Sequence, residues 1–214
     1  MKQILAILLF TFTVIQVQAL GTIKLSPPDV NSMPLIQALQ ERKSTKVFDA
    51  KPIPSKQLSS LLWAAFGVNR PVSGKRTAAT AFNCQDIDIY AVFAEGVYEY
   101  QAKNHCLVPV LSKDVRSLAA TQAYAQKAPL NLVYVSDYAK INDRYKTMKP
   151  VYSAFHAGSI SQNVYLYCAS AGLGTVVRDG VNREALSKAL KLSDKQVVIM
   201  GQTVGYPAAP PTKP

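Results

Sequence analysis

An α+β fold is predicted for this chain of 214 residues by three observations. Apolar residues recur at helical spacing in several segments, and β-formers gather in short runs near the middle. The two kinds of element mix without the βαβ rhythm of a doubly wound sheet. Gly172-Leu173-Gly174 follows a helix rather than a strand and lacks a third glycine at the dinucleotide-binding spacing. Apolar residues make up 49% and charged residues 17%, which suits one packed domain and argues against disorder.

The elements follow in order. Residues 1–19 read as a signal peptide: Lys2 starts it, an apolar run follows, and Val17-Gln18-Ala19 is a small-residue cleavage pattern. The mature chain, 20–214, is then expected to be periplasmic or secreted, with no stable membrane association after cleavage; an uncleaved anchor is the alternative. Ser32 and Pro34 open a first helix carrying Leu35, Ile36 and Leu39 and ending near Arg42. Ser55 is expected to cap a second, with Leu58, Leu61, Leu62, Ala65 and Phe66 before Gly67. Residues 69–86 are polar, small and basic, as a functional loop would be. Runs at 87–93, 97–100 and 107–111 predict a hairpin or short meander.

Ser112 is expected to cap a helix through Ala120, with further turns to Ala128, and 130–135 to form a strand. A loop of about 15 residues, rich in Tyr and Lys, suggests a lid or substrate wall. A long helix is predicted over 153–170 and ends at Gly172, Asn182 caps another, and 197–204 is a last strand.

The formal charge of +11 makes anions plausible partners, but the cations are scattered and no zinc-finger or RNP-like signature is present. No nucleic-acid partner is therefore expected. Cys84, Cys106 and Cys168 cannot all pair within one chain, and with His105 and His156 they make no convincing metal set.

The segment Arg42-Lys43-Ser44-Thr45-Lys46 sets cations and hydroxyls at a helix end. Arginine grips phosphate in a two-pronged way, lysine adds a point charge, and Ser44 can donate a hydrogen bond. The same cations could simply offset the negative end of the helix dipole.

In register with that segment, Thr80-Ala81-Phe82-Asn83-Cys84-Gln85, Gln162-Asn163, the 169–175 stretch and Gly205-Tyr206-Pro207 resemble the nitroreductase family of FMN-dependent flavoproteins. The stretches 63–70 and 96–108 resemble its SagB-type dehydrogenase branch. The resemblance implies a central, mostly antiparallel sheet flanked by helices, and a homodimer with FMN at the subunit interface. It implies that Arg42, Lys43, Ser44 and Lys46 hold the phosphate and ribityl chain. Asn83 would face the flavin edge or a ribityl hydroxyl, or else serve as a turn residue, and Gln85 would order its loop.

Gly174 belongs both to the glycine helix stop and to the flavin motif, and backbone N–H groups at Asp179-Gly180 would face the redox-active nitrogen. Lys213 would be a second phosphate cation, from either subunit, or a solvated tail lysine. Ala79-Thr80 stands where many members carry Pro-Ser, which predicts a looser loop, and His156 stands where many carry an acid. The implied activity passes hydride or electrons from a small-molecule donor such as NAD(P)H to a small acceptor such as a nitroaromatic or quinone, by a ping-pong mechanism. The protein would supply position and electrostatics, with no essential acid–base residue. Tyr145, Tyr152 and His156 would line the pocket. A flavin-binding module without turnover and a SagB-like dehydrogenase of peptide-derived substrates are the alternatives.

Overall fold

The computed structural model describes residues 20–29 and 33–209. The expected signal peptide, the Ser32 cap and Lys213 lie outside the described residues.

In chain order the elements are β1 (Ile23–Lys24), α1 (Leu35–Glu41), α2 (Ser55–Phe66), β2 (Val68–Arg70), β3 (Lys75–Arg76), β4 (Ile87–Val92), β5 (Val97–Gln101), β6 (Cys106–Leu111), α3 (Arg116–Ala119), α4 (Ala123–Gln126), β7 (Leu130–Asp137), α5 (Lys149–Ser170), β8 (Gly174–Arg178), α6 (Arg183–Leu190) and β9 (Gln196–Gly205). Seven strands form one sheet in the order β1-β6-β5-β4-β7-β9-β8, with every neighbouring pair antiparallel. β2 and β3 form a separate small hairpin. The fold class and the central meander are as the sequence predicts.

Strand patterning explains why the sheet is covered on both faces. In β4, Ile87, Ile89 and Ala91 enter the core beneath α2 and α5, while Tyr90 and Val92 enter the core on the other side with α3 and α6. β7 divides likewise, Leu130, Leu132 and Tyr134 against Val133 and Val135. This is the period of two that a central strand with two buried faces requires.

α5 carries Ala157, Ile160, Val164 and Cys168 on one stripe into the first core. It begins at Lys149, four residues before the sequence suggests, with proline in its first turn. Its first buried side chain is Lys149, whose ammonium reaches Tyr138 O and Asp143 Oδ1, so no apolar period marks that turn. At its far end Gly172 adopts φ +67°, and Leu173 N–H bonds back to Cys168 O at 2.9 Å, closing a Schellman stop. No atom lies within 4 Å of the place a Cβ would take there. Gly172→Ala should therefore cost about 1 kcal/mol through backbone conformation alone, read as a lower urea midpoint.

α1 ends at Glu41 with Arg42 as its cap residue, as expected. Other expectations need correction. α2 starts directly after Pro54, and Ser55 is its first helical residue rather than a side-chain cap. The helix expected from Ser112 is two single turns, α3 and α4, broken at Ala120 where the backbone extends. Asp114 rather than Ser112 bonds the first N–H, that of Arg116, at 3.0 Å. Asn182 caps α6 as expected, accepting from Ala185 N–H.

Candidate functional site

The cationic segment runs out of α1 as extended chain laid against the sheet edge. Ser44 bridges Thr175 in parallel, Thr45 N–H bonds Thr175 O at 2.9 Å, and Phe48 bridges Pro207. Tyr165 on α5 is the hub behind it. Its hydroxyl lies 2.9 Å from Ser44 Oγ and accepts from Val177 N–H at 3.0 Å, while the Arg42 guanidinium stands over its ring at 5.2 Å. Arg42 is half-buried, and Lys43, Ser44 and Lys46 are exposed. A cavity of about 420 Å³ opens here, lined by Arg42, Lys43, Thr45, Tyr165, Gly172 and Pro207 among others. Gly174 lets this segment approach: a Cβ on it would fall 2.8 Å from Thr45 Cγ2.

β8 leads from this cradle to the Asp179-Gly180 turn, ~13 Å beyond Thr175 at the usual strand rise. Asp179 O accepts from Val181 N–H at 2.7 Å, and the Asp179 carboxylate pairs with Arg183 at 2.5 Å. The Gly180 carbonyl accepts from Thr121 N–H and from Arg178 Nη1. Among the described residues the Gly180 N–H meets no acceptor. The Gln122 amide lies on Gly180, where a Cβ would come within 2.1 Å of Nε2. Gln122 Oε1 is shielded from water yet has no hydrogen-bond partner among the described residues.

The Asn83 loop is built elsewhere. Phe82, Asn83 and Gln85 all hold positive φ, near 50°, a costly conformation for such residues that the surroundings must enforce. Gln85 N–H is accepted by the Thr80 hydroxyl at 3.1 Å and Ala81 N–H by His156 Nε2 at 2.7 Å. The Gln85 amide is spent on Arg76, Gly74 and Asn83, which orders the loop. Where Ala79-Thr80 replaces the Pro-Ser of many members, the Thr80 hydroxyl supplies a strap of its own. Asn83 itself is exposed, and Phe82 stacks on Tyr145 with ring centroids 4.5 Å apart and meets the Tyr152 edge at 6.1 Å.

His156 does not line a pocket. It is fully buried, with Nδ1 2.5 Å from Asp86 Oδ1 and Nε2 taken by Ala81 N–H. Nε2 accepts, so the ring is the neutral tautomer with its proton on Nδ1. Cys84, Asp86 and His156 have ligand atoms within 4.8 Å of one another, but both ring nitrogens are already used, so the cluster does not suit a metal ion. Burial, then the neighbouring Asp86, pushes the Cys84 thiol up to about 11, which keeps it protonated.

One chain therefore joins segment 42–46 with Gly174 and, along β8, with Asp179-Gly180. It does not bring Asn83 to them. The loop docks on His156 and the cradle on Tyr165, nine residues along α5, which is ~14 Å of axis and roughly opposite faces of the helix. Tyr165, Gln122 and Arg178 escaped the sequence reading. Of these only Tyr165 had a local signal, its place two residues after Gln162-Asn163.

A cationic cradle thus lies at one end of β8 and a glycine turn with an unpaired N–H at the other, among the described residues. The chain belongs to the nitroreductase family, whose model matches residues 39–206. It is 40% identical to a candidate nitroreductase of Ralstonia eutropha, whose crystal structure superposes with a TM-score of 0.85 over 96% of this chain and 97% of that one. A candidate nitroreductase of Methanocaldococcus jannaschii is 28% identical over 189 residues, 84% of this chain and 95% of its own. Nitroreductase A of Vibrio parahaemolyticus is 25% identical, with a TM-score of 0.61 over 84% of this chain and 71% of that one.

The protein is accordingly an FMN-dependent oxidoreductase of the nitroreductase type. Such enzymes generally bind FMN and act on small redox substrates. The residues present fit that cofactor: the free Gly180 N–H and the unpartnered Gln122 carbonyl are the donor and acceptor that a flavin's polar edge requires.

Proposed function

We propose that this chain is an exported, homodimeric FMN enzyme that takes hydride or electrons from a small donor and passes them, in a second half-reaction, to a small organic acceptor such as a nitroaromatic or quinone. The observation that carries the reading is β8, with Arg42, Lys43, Ser44 and Lys46 at one end and the free Gly180 N–H at the other. FMN, when bound, supplies the redox chemistry. The cations hold the phosphate by charge-assisted bonds. The Gly180 N–H and Gln122 meet the polar edge of the ring, where a fixed donor stabilises charge that grows on reduction. Asp179 contributes through its backbone, since its carboxylate is paired with Arg183.

What one chain leaves undone supports the dimer. Asn83 and the Phe82–Tyr145 stack lie too far from segment 42–46 to close the same cavity, so they would close the partner's. Phe82, Met148, Val151 and Phe155 are exposed apolar groups around the loop, and Leu35, Ile36 and Leu39 are exposed on α1. They offer the apolar surface that an obligate interface buries. Exported, the enzyme would meet little nicotinamide, so its working donor would be another small reductant.

One preparation tests this. The full chain, expressed in a bacterium and purified after export, should be a yellow dimer by absorbance and light scattering and start near Leu20 by N-terminal sequencing. Its colour should bleach with a reductant and return with a quinone. A colourless protein that takes up no added FMN would end the flavin reading, a permanently yellow one would leave an inert binding module, and a start at Met1 would refute cleavage.

A further inference from the structure

Arg178 is a buried cation that no step above uses. It is 7% exposed, and its guanidinium packs over Gly201. Its bonds run to Ala119 O at 2.7 Å, Gly180 O at 2.8 Å, Thr203 Oγ1 at 2.9 Å and Asn131 Oδ1 at 2.6 Å. All four acceptors are neutral, and among the described residues no carboxylate pairs with it. Neighbouring Arg183 makes the contrast, since its charge is spent on Asp179. A buried charge without a counter-ion is expensive, and a neutral side chain could serve a purely structural network. Burial brings the guanidinium down to about 10, which still leaves it charged at neutral pH.

We propose that Arg178 is a positioning residue for the redox step. It clamps the carbonyl of Gly180, the residue whose N–H faces the flavin's reducible edge, and sets an uncompensated positive charge behind it, so that the site favours the reduced cofactor. This rests on the flavin reading above. The balance of the step gives the reason. Hydride from a small donor brings two electrons and one proton to a neutral ring, the donor leaves oxidised, and the ring gains one negative charge. In a water-poor site a fixed cation near that charge stabilises the reduced form far more than the oxidised one.

The test is a redox titration of the FMN-loaded full chain against reference dyes, with FMN affinity measured by fluorescence. Arg178→Gln should lower the preference for reduced over oxidised FMN about tenfold, a midpoint ~30 mV more negative for a two-electron couple. Asn131→Asp should do the same while keeping the guanidinium, because it sets a carboxylate where Arg178 now meets an amide oxygen. It remains readable if Arg178→Gln does not fold. Arg178→Lys keeps the charge and should stay within about threefold of wild type. A wild-type midpoint retained in Arg178→Gln or Asn131→Asp overturns the proposal. An equal fall in all three variants also overturns it, by tracing the effect to lost hydrogen bonds rather than charge. If the wild-type chain takes up no FMN, the flavin reading itself has failed.

Discussion

Replacing Arg42 and Lys46 together by alanine should weaken FMN binding by at least about a hundredfold, with little loss of fold. A hydrogen bond to a charged group contributes roughly 1.5–3 kcal/mol, and at least one is lost with each side chain. The local geometry leaves these side chains little help. Arg42 N–H is already bonded to Ala38 O as the last turn of α1 closes. A phosphate there meets the carbonyl end of a helix, where no row of free N–H groups is available and the dipole is unfavourable. The side-chain cations must therefore carry the attraction, and added salt should weaken binding in step.

Single variants divide the site further. Arg42 is pre-placed over Tyr165, so Arg42→Ala should cost more than Lys46→Ala, whose side chain is exposed. Ser44 already shares a hydrogen bond with Tyr165, so Ser44→Ala should cost only about 1 kcal/mol. Fluorescence titration of FMN reads all four variants, and an unchanged dissociation constant in the double variant would show the phosphate to be held elsewhere.

How legible this was in the sequence depends on the range of each interaction. The alternation in β4 and β7, the Asn182 cap and the Gly172 stop are local patterns, and the chain forms them as they read. The turn at 116–126 misled because alanine favours helix while long-range packing extends the chain at Ala120. The start of α5 was hidden because its first buried side chain is a lysine. In the site, segment 42–46 and Gly180 were visible as motifs. Gln122 and Arg178 were not, since each matters only through neighbours far along the chain: Gly180 for the first, Asn131 and Thr203 for the second. The same holds for His156. It was expected at a pocket wall, and its role is set by Asp86, seventy residues earlier.

Asp86→Ala should be strongly destabilising, by about 1–3 kcal/mol for each buried donor it leaves without an acceptor, read by urea denaturation. Asp86 receives His156 Nδ1–H at 2.5 Å and the Ser136 hydroxyl at 2.6 Å, with Ser153 Oγ 3.1 Å from the same carboxylate and Cys84 Sγ at 3.3 Å. Asp86→Asn tests the wiring more finely. An amide NH₂ turned toward His156 would push the ring proton to Nε2, which must instead accept Ala81 N–H to hold the strained 80–85 loop. That variant should keep most of the core yet speed amide exchange at Ala81 and loosen the Phe82–Tyr145 stack. The acid limb gives an independent reading. Burial raises the Asp86 carboxyl, but the hydrogen bonds from His156 and Ser136 outweigh it, so its folded value lies below the ordinary carboxylate range. A depressed carboxyl contributes stability that is complete above its unfolded value near 4 and is lost as pH falls through the folded one. Wild type should thus lose stability steeply below about pH 4, and Asp86→Ala should lose less over the same window. Equal slopes in the two proteins would mean that Asp86 is not the anchor of this loop.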